Sequence, residues 1–121
     1  MQNIIHICEL KDWMAAVEAG RYEPDSMKSD GFIHCSRPDQ VMEVASTFYP
    51  DRDDLVLLII DPQRVRADIL WEYPSGSLPP GKSGETDFFP HIYGLLNLDA
   101  VSRVLNLKRK PDGSFISPAG I

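Results

Sequence analysis

Few features of this chain point directly at a chemistry. Its 121 residues hold two cysteines and three histidines. The cysteines form no Cys-x-x-Cys pair, which argues against a zinc ribbon or a thioredoxin-like redox motif. No glycine-rich phosphate loop of either common type is present, which removes ordinary dinucleotide-fold and P-loop chemistry. The longest apolar run, Leu55 to Ile60, is far too short to span a bilayer. The start, Met1-Gln2-Asn3-Ile4-Ile5, lacks a basic segment followed by a long apolar stretch. A cytoplasmic protein with reduced thiols is therefore expected. Positive charge is scarce too: 12 Lys and Arg against 18 Asp and Glu give a net charge of −6. Without a long-range positive field, general affinity for nucleic acid or anionic membrane is not expected. The basic cluster Lys108-Arg109-Lys110 is a local exception, read as a solvated strand end that discourages aggregation.

The length suffices for one domain with a core that needs neither metal nor disulfide. Residues 1–110 are expected to form a single α+β domain, followed by an irregular tail, 111–121, rich in Pro, Gly and Ser. Ile4 to Cys8 reads as a strand. Leu10, Trp13, Met14 and Val17 fall at helical spacing over Leu10 to Ala19, and Gly20 is placed to end that helix in a left-handed conformation. Tyr22 to Asp30 reads as a loop and Gly31 to Cys35 as a second strand. Ser36-Arg37-Pro38-Asp39 combines a capping residue, a first-turn proline and an acidic residue, so a second helix is predicted to start there and run through Val41, Val44, Ala45 and Phe48. The aliphatic run Leu55 to Ile60 suits a central strand buried on both faces. Ile69 to Glu72, Phe88 to Tyr93 and Val101 to Lys108 supply further strands, the second with an irregular start or an edge position because of Pro90. A single turn is expected at Leu98-Asp99-Ala100, and Tyr73 to Gly84 reads as a long Pro, Gly and Ser-rich loop. Two N-terminal helices followed mostly by strands indicate an α+β fold.

All three histidines lie in short apolar runs, Ile4 to Cys8, Gly31 to Ser36 and Phe88 to Gly94. Residues two apart on a strand share a face, so His6 pairs with Cys8, His34 with Ser36, and His91 with Tyr93. The expectation is a cleft lined by His6, Ser36, His34 and His91. Three chemistries fit these residues. His6, Cys8, His34 and His91 are suitable transition-metal ligands, although closely spaced ligand pairs are missing. Cys35 adjoins a predicted helix start that would favour thiolate, but it points away from His34 and Ser36. An anionic or nucleotide-like ligand would find Arg37 and free N–H groups at the same helix start. Aromatic rings at Trp13, Phe48, Tyr49, Trp71 and Tyr93 are available for stacking.

At His6-Ile7-Cys8, Gly31-Phe32-Ile33-His34-Cys35-Ser36, Asp61-Pro62, Trp71-Glu72 and Phe89-Pro90-His91-Ile92-Tyr93-Gly94, the chain resembles the small bacterial family known as domain of unknown function 952. The resemblance runs from about Ile4 to Leu107. It implies an ADP-ribosyltransferase-like split β-sheet, a fold that binds NAD. In that fold His6 would match a first-strand residue that touches a ribose, Gly31 to Ser36 the second motif, and Tyr49 the stacking aromatic. The third motif usually carries a glutamate. The strand around His91 has none, and Asp87, or Glu85, is the nearest carboxylate. The resulting expectation is binding of NAD, ADP-ribose or a related phosphorylated nucleotide, with transferase or glycohydrolase activity. His34, His91 and Asp87 are the catalytic candidates; His6, Cys8, Ser36, Arg37, Tyr49 and Tyr93 are the ligand-binding ones, with no metal assigned. A noncatalytic sensing or interaction module and a metal-dependent small-molecule enzyme are the alternatives.

Overall fold

The computed structural model describes residues 2–76 and 88–121, so Asp87, Glu85 and residues 77–84 of the expected loop lie outside the described residues. In chain order the elements are β1 (Ile4–Glu9), α1 (Leu10–Ala19), β2 (Arg21–Tyr22), α2 (Ser26–Ser29), β3 (Ile33–His34) and α3 (Val41–Phe48). They continue as β4 (Leu55–Ile60), β5 (Asp68–Glu72), β6 (Phe89–Tyr93), β7 (Leu96–Asn97), a single 3-10 turn (Leu98–Ala100) and β8 (Val101–Asn106). This is a small mixed α/β domain with antiparallel sheets.

The aliphatic run is central, as its composition demands. β4 is buried along its whole length and lies between β1 and β8. One face, carrying Val56, Leu58 and Ile60, packs with Ile4, Ile33 and Ile92 beneath α1. The other face, carrying Leu57 and Ile59, packs with Ile5, Ile7 and the α3 residues Val41 and Ala45. Burial on both sides explains why β4 shows no alternation of apolar and polar residues. Helix α1 ends where expected: Gly20 is left-handed at φ 79°, and its N–H donates to the Ala16 carbonyl at 2.8 Å. Glycine takes that conformation without a Cβ penalty.

The sequence-based reading needs four corrections. Among the described residues there are three helices rather than two, because Ser26–Ser29 within the expected loop forms a single turn, too short for periodicity to register. The two-residue strands β2 and β7, which pair with each other, escape detection for the same reason. Helix α3 starts at Val41, not at Ser36 to Asp39. Ser36 is not a cap because it belongs to a sheet, its N–H donating to the Ile5 carbonyl at 2.7 Å and its carbonyl accepting from Ile5 N–H at 2.8 Å. Gln40 takes the local role, its Oε1 accepting from Arg37 N–H at 2.9 Å. Finally, Arg109 is no solvated end of the basic cluster. Its guanidinium donates to the carbonyls of Pro50, Arg52 and Gly113 and lies 4.2 Å from the Phe115 ring centroid, which fastens the returning tail.

The second three-stranded sheet runs β3-β6-β5, so β6 is central despite Pro90. Cys35 N–H donates to the Pro90 carbonyl at 3.1 Å, but proline has no N–H to return the bond. One residue later the chain has left β6, and Ser36 pairs with Ile5 of β1. The segment 33–36 thus belongs to both sheets. A cleft opens where they part.

Candidate functional site

Strand register builds the site. His34 stands directly opposite His91, and His91 stands opposite Leu70, two positions before Glu72 on β5. Alternation therefore puts His34, Ser36, Phe89, His91, Tyr93 and Glu72 on one face. The bonds flanking the His34 and His91 pair make it a non-hydrogen-bonded pair, the arrangement with the closer side chains. Their ring centroids are 5.2 Å apart, edge to face, and Phe32 stacks on His91 at 4.0 Å.

Glu72 and His91 are both almost fully buried, at 3% and 1% exposure. Glu72 Oε1 accepts from His91 Nδ1–H at 2.9 Å and from the Tyr93 hydroxyl at 2.6 Å. Burial holds the His91 pKa below its ordinary value, and the bond to Glu72 only partly opposes this. The ring is accordingly a neutral imidazole with its proton on Nδ1 and an acceptor lone pair on Nε2. Nε2 has no partner among the described residues. Donating to Glu72 pushes the Tyr93 phenol up to about 12, so Tyr93 stays the donor. This is a carboxylate-oriented histidine, the arrangement that fixes a tautomer for proton transfer.

Two further contacts converge on His34. Its Nε2 meets Asp30 Oδ2 at 2.7 Å, both side chains half-exposed, and its carbonyl accepts from His6 Nδ1–H at 2.5 Å. His6 Nε2 accepts from the Tyr22 hydroxyl at 2.8 Å. Burial lowers the His6 pKa to about 4.

The cleft has a volume of about 500 Å³, in the usual range for small-molecule sites. Ile5 and Ile7 of β1 form one wall, Val44, Phe48 and Tyr49 of the α3 region another, and His34, Ser36, Phe89 and His91 the floor. Three of the four residues expected there are present. His6 is not, because Ile5 and Ile7 occupy the cleft side of β1 while His6 and Cys8 turn to the opposite, equally buried face. Tyr49 lines the cleft and Tyr93 stands behind it through Glu72. Arg37 is drawn to Asp39 at 2.9 Å and to the Phe88 carbonyl at 3.4 Å. Burial pushes the Cys8 thiol up to about 12 and raises Cys35 further. Neither thiol is poised as a nucleophile. Among the described residues no group of three or more His, Cys, Asp or Glu is arranged to hold a metal ion, and no helix is long and apolar enough to cross a membrane.

Residues 7–104 match the family described as Protein of unknown function (DUF952). The chain belongs to this family. The DUF952 chain is also similar to CC0527 from Caulobacter crescentus. A crystal structure of that protein shares 30% identity and a TM-score of 0.78, covering 95% of this chain and 94% of that one. A crystal structure of a double mutant gives 30% identity and 0.77 over the same shares. A solution NMR structure gives 31% and 0.74, over 94% and 91%. No curated protein matches. Within this DUF952 fold, Glu72 is the residue that sequence reasoning missed. It sits in a weak, short strand 19 positions before His91 in the chain, and only the register of β5 on β6 brings the two together. Asp30 was missed as well, although its separation of four residues from His34 is a local signal.

Proposed function

We propose that this cleft binds a small organic ligand and acts on it by general acid–base chemistry, with His91 as the base and Glu72 as the residue that positions it. The single observation behind this reading is the buried Glu72 to His91 bond, which leaves Nε2 as an unpaired acceptor on a residue lining the cleft. When Nε2 takes a proton from a ligand hydroxyl or a bound water, the adjacent carboxylate stabilises the imidazolium that forms. Such a base contributes roughly 10²–10⁴-fold in rate. We infer the ligand class to be NAD, ADP-ribose or a related phosphorylated nucleotide. The two sheets that part around the cleft support an ADP-ribosyltransferase-like reading of the fold, and Phe48, Tyr49 and Phe89 offer rings for a base to stack on. Arg37, next to Ser36, supplies positive charge for phosphate. Glu72 is unsuited to the ribose-orienting role, since Oε1 already serves His91 and Tyr93; that role falls to Asp87 if the reaction breaks a glycosidic bond.

A noncatalytic sensing module is the second reading. It is favoured by the backbone N–H groups of Ser36 and Arg37, both of which are consumed within the protein and so unable to stabilise a developing oxyanion. Calorimetry with NAD and ADP-ribose tests the ligand class. Binding that weakens at least about tenfold in His91→Gln is expected. Absence of heat for both nucleotides at millimolar concentration defeats the nucleotide reading, and binding without turnover favours the sensing module.

A further inference from the structure

The floor of the cleft has a definite polarity. His91, which lines the floor, keeps a lone pair on Nε2 and has no proton to spare, because its one N–H is committed to Glu72. Glu72 accepts two hydrogen bonds at a single oxygen and so presents only acceptors to His91 and Tyr93. Ser36, 4% exposed, lines the same floor, and its Oγ has no hydrogen-bond partner among the described residues. Ser36 is therefore able to accept or donate. Among the described residues, no Lys or Arg lines the cleft. The walls formed by Ile5, Ile7, Val44 and Phe48 are apolar, and Tyr49 stands with them.

These features reject one kind of chemical group and admit another. A carboxylate or phosphate pressed to the floor would set lone pair against lone pair and like charge near like charge, in surroundings too dry to screen either. A group that donates N–H satisfies Nε2, and a positive charge gains from Glu72 behind it. We infer that the floor of the cleft is a subsite for the hydrogen-bond-donating edge of a flat aromatic group, a carboxamide, an amidine or a ring amine, and that it excludes carboxylate and phosphate. The inference rests on the reading of the cleft as the ligand site and adds an orientation to it: a nucleotide enters with its base or amide end inward and its phosphates outward.

Benzamidine, benzamide and benzoate share one shape and differ in the head group, being a cationic donor, a neutral donor and an anionic acceptor. Titration into ¹⁵N-histidine-labelled protein near neutral pH, followed by calorimetry, ranks them. Benzamidine and benzamide are expected to bind at least about tenfold more tightly than benzoate, and to shift the pyridine-type Nε2 resonance of His91. In Glu72→Gln the advantage of benzamidine over benzamide should disappear; if that variant does not fold, the order in the unaltered protein decides. Benzoate binding as tightly as benzamide, or all three failing at millimolar concentration, overturns the subsite. NAD or ADP-ribose binding alongside that failure leaves the nucleotide reading intact, whereas benzamide binding without either nucleotide upholds the subsite and removes the nucleotide.

Discussion

His6 lends itself to a quantitative prediction, because its surroundings leave no place for a second proton. Nδ1–H donates to the His34 carbonyl and Nε2 accepts from Tyr22, whose hydroxyl burial keeps protonated. Protonating Nε2 would set donor against donor in the core. The folded-state pKa near 4 lies below the value of 6.5 that an unperturbed ring has, so the unfolded chain binds the extra proton first. Stability is then full above about pH 6.5 and declines as the pH falls toward 4. Integrating between these two values gives a loss of about 2 kcal/mol from pH 7.5 to pH 5, rising to about 3 kcal/mol below pH 4. For a domain of this size 2 kcal/mol is roughly 6–10 °C in melting temperature. Urea denaturation of the native chain and of His6→Gln at pH 7.5 and at pH 5 isolates the contribution, since His91 and the carboxylates titrate in both. The variant should start less stable by about 1–2 kcal/mol for its lost bonds, yet lose about 2 kcal/mol less between the two pH values. Equal losses in the two proteins, or a His6 resonance that titrates near 6.5, would refute the reasoning.

The remaining expectations concern how the chain is held at its ends. A Cβ at Gly20 meets nothing within 4 Å, so Gly20→Ala isolates the left-handed conformation and should cost about 1 kcal/mol in a denaturant titration; an unchanged midpoint would contradict the cap. Arg109→Ala removes the donor to three carbonyls and the cover over Phe115, with an expected loss of about 1–3 kcal/mol and faster proteolysis between Lys110 and Ile121. Its ion pair with Asp53, whose side chain is 85% exposed, contributes little to that figure, so Asp53→Asn should be nearly neutral, and a large effect there would reverse the assignment.

Legibility in the sequence followed the range of the interactions. α1 was located from helical spacing and Gly20, although Leu10, Met14 and Val17, three of the four residues that gave the spacing, are substantially exposed and the buried contact is made by Ala16. The spacing identified the element and misjudged its inward face. β4 was recognisable because burial on both faces leaves an unbroken aliphatic run. Ser36 misled because its cap-like neighbours, Arg37-Pro38-Asp39, imitate a helix start, while the bond partner that holds it in a sheet, Ile5, is remote. The shared face of His34 and Ser36 was readable from alternation alone. That His6 faces away from them was not, since both sides of β1 are apolar surroundings and the choice between them depends on where α1 and α3 pack. Glu72 required the pairing of β5 with β6, which no local pattern encodes.

Pro90 gives the cleft an origin in a missing atom. In an unbroken ladder the residue at that position would return a hydrogen bond to the Cys35 carbonyl, and β3 and β6 would go on closing like a zipper toward Ser36 and Phe89. Proline stops the zipper one tooth short and leaves Ser36 to Ile5. A Pro90→Ala chain gains the absent donor and sets two strands in competition for the same residue. The empty space that a ligand would fill is thus maintained by subtraction, and an exchange that adds a backbone hydrogen bond would work against it.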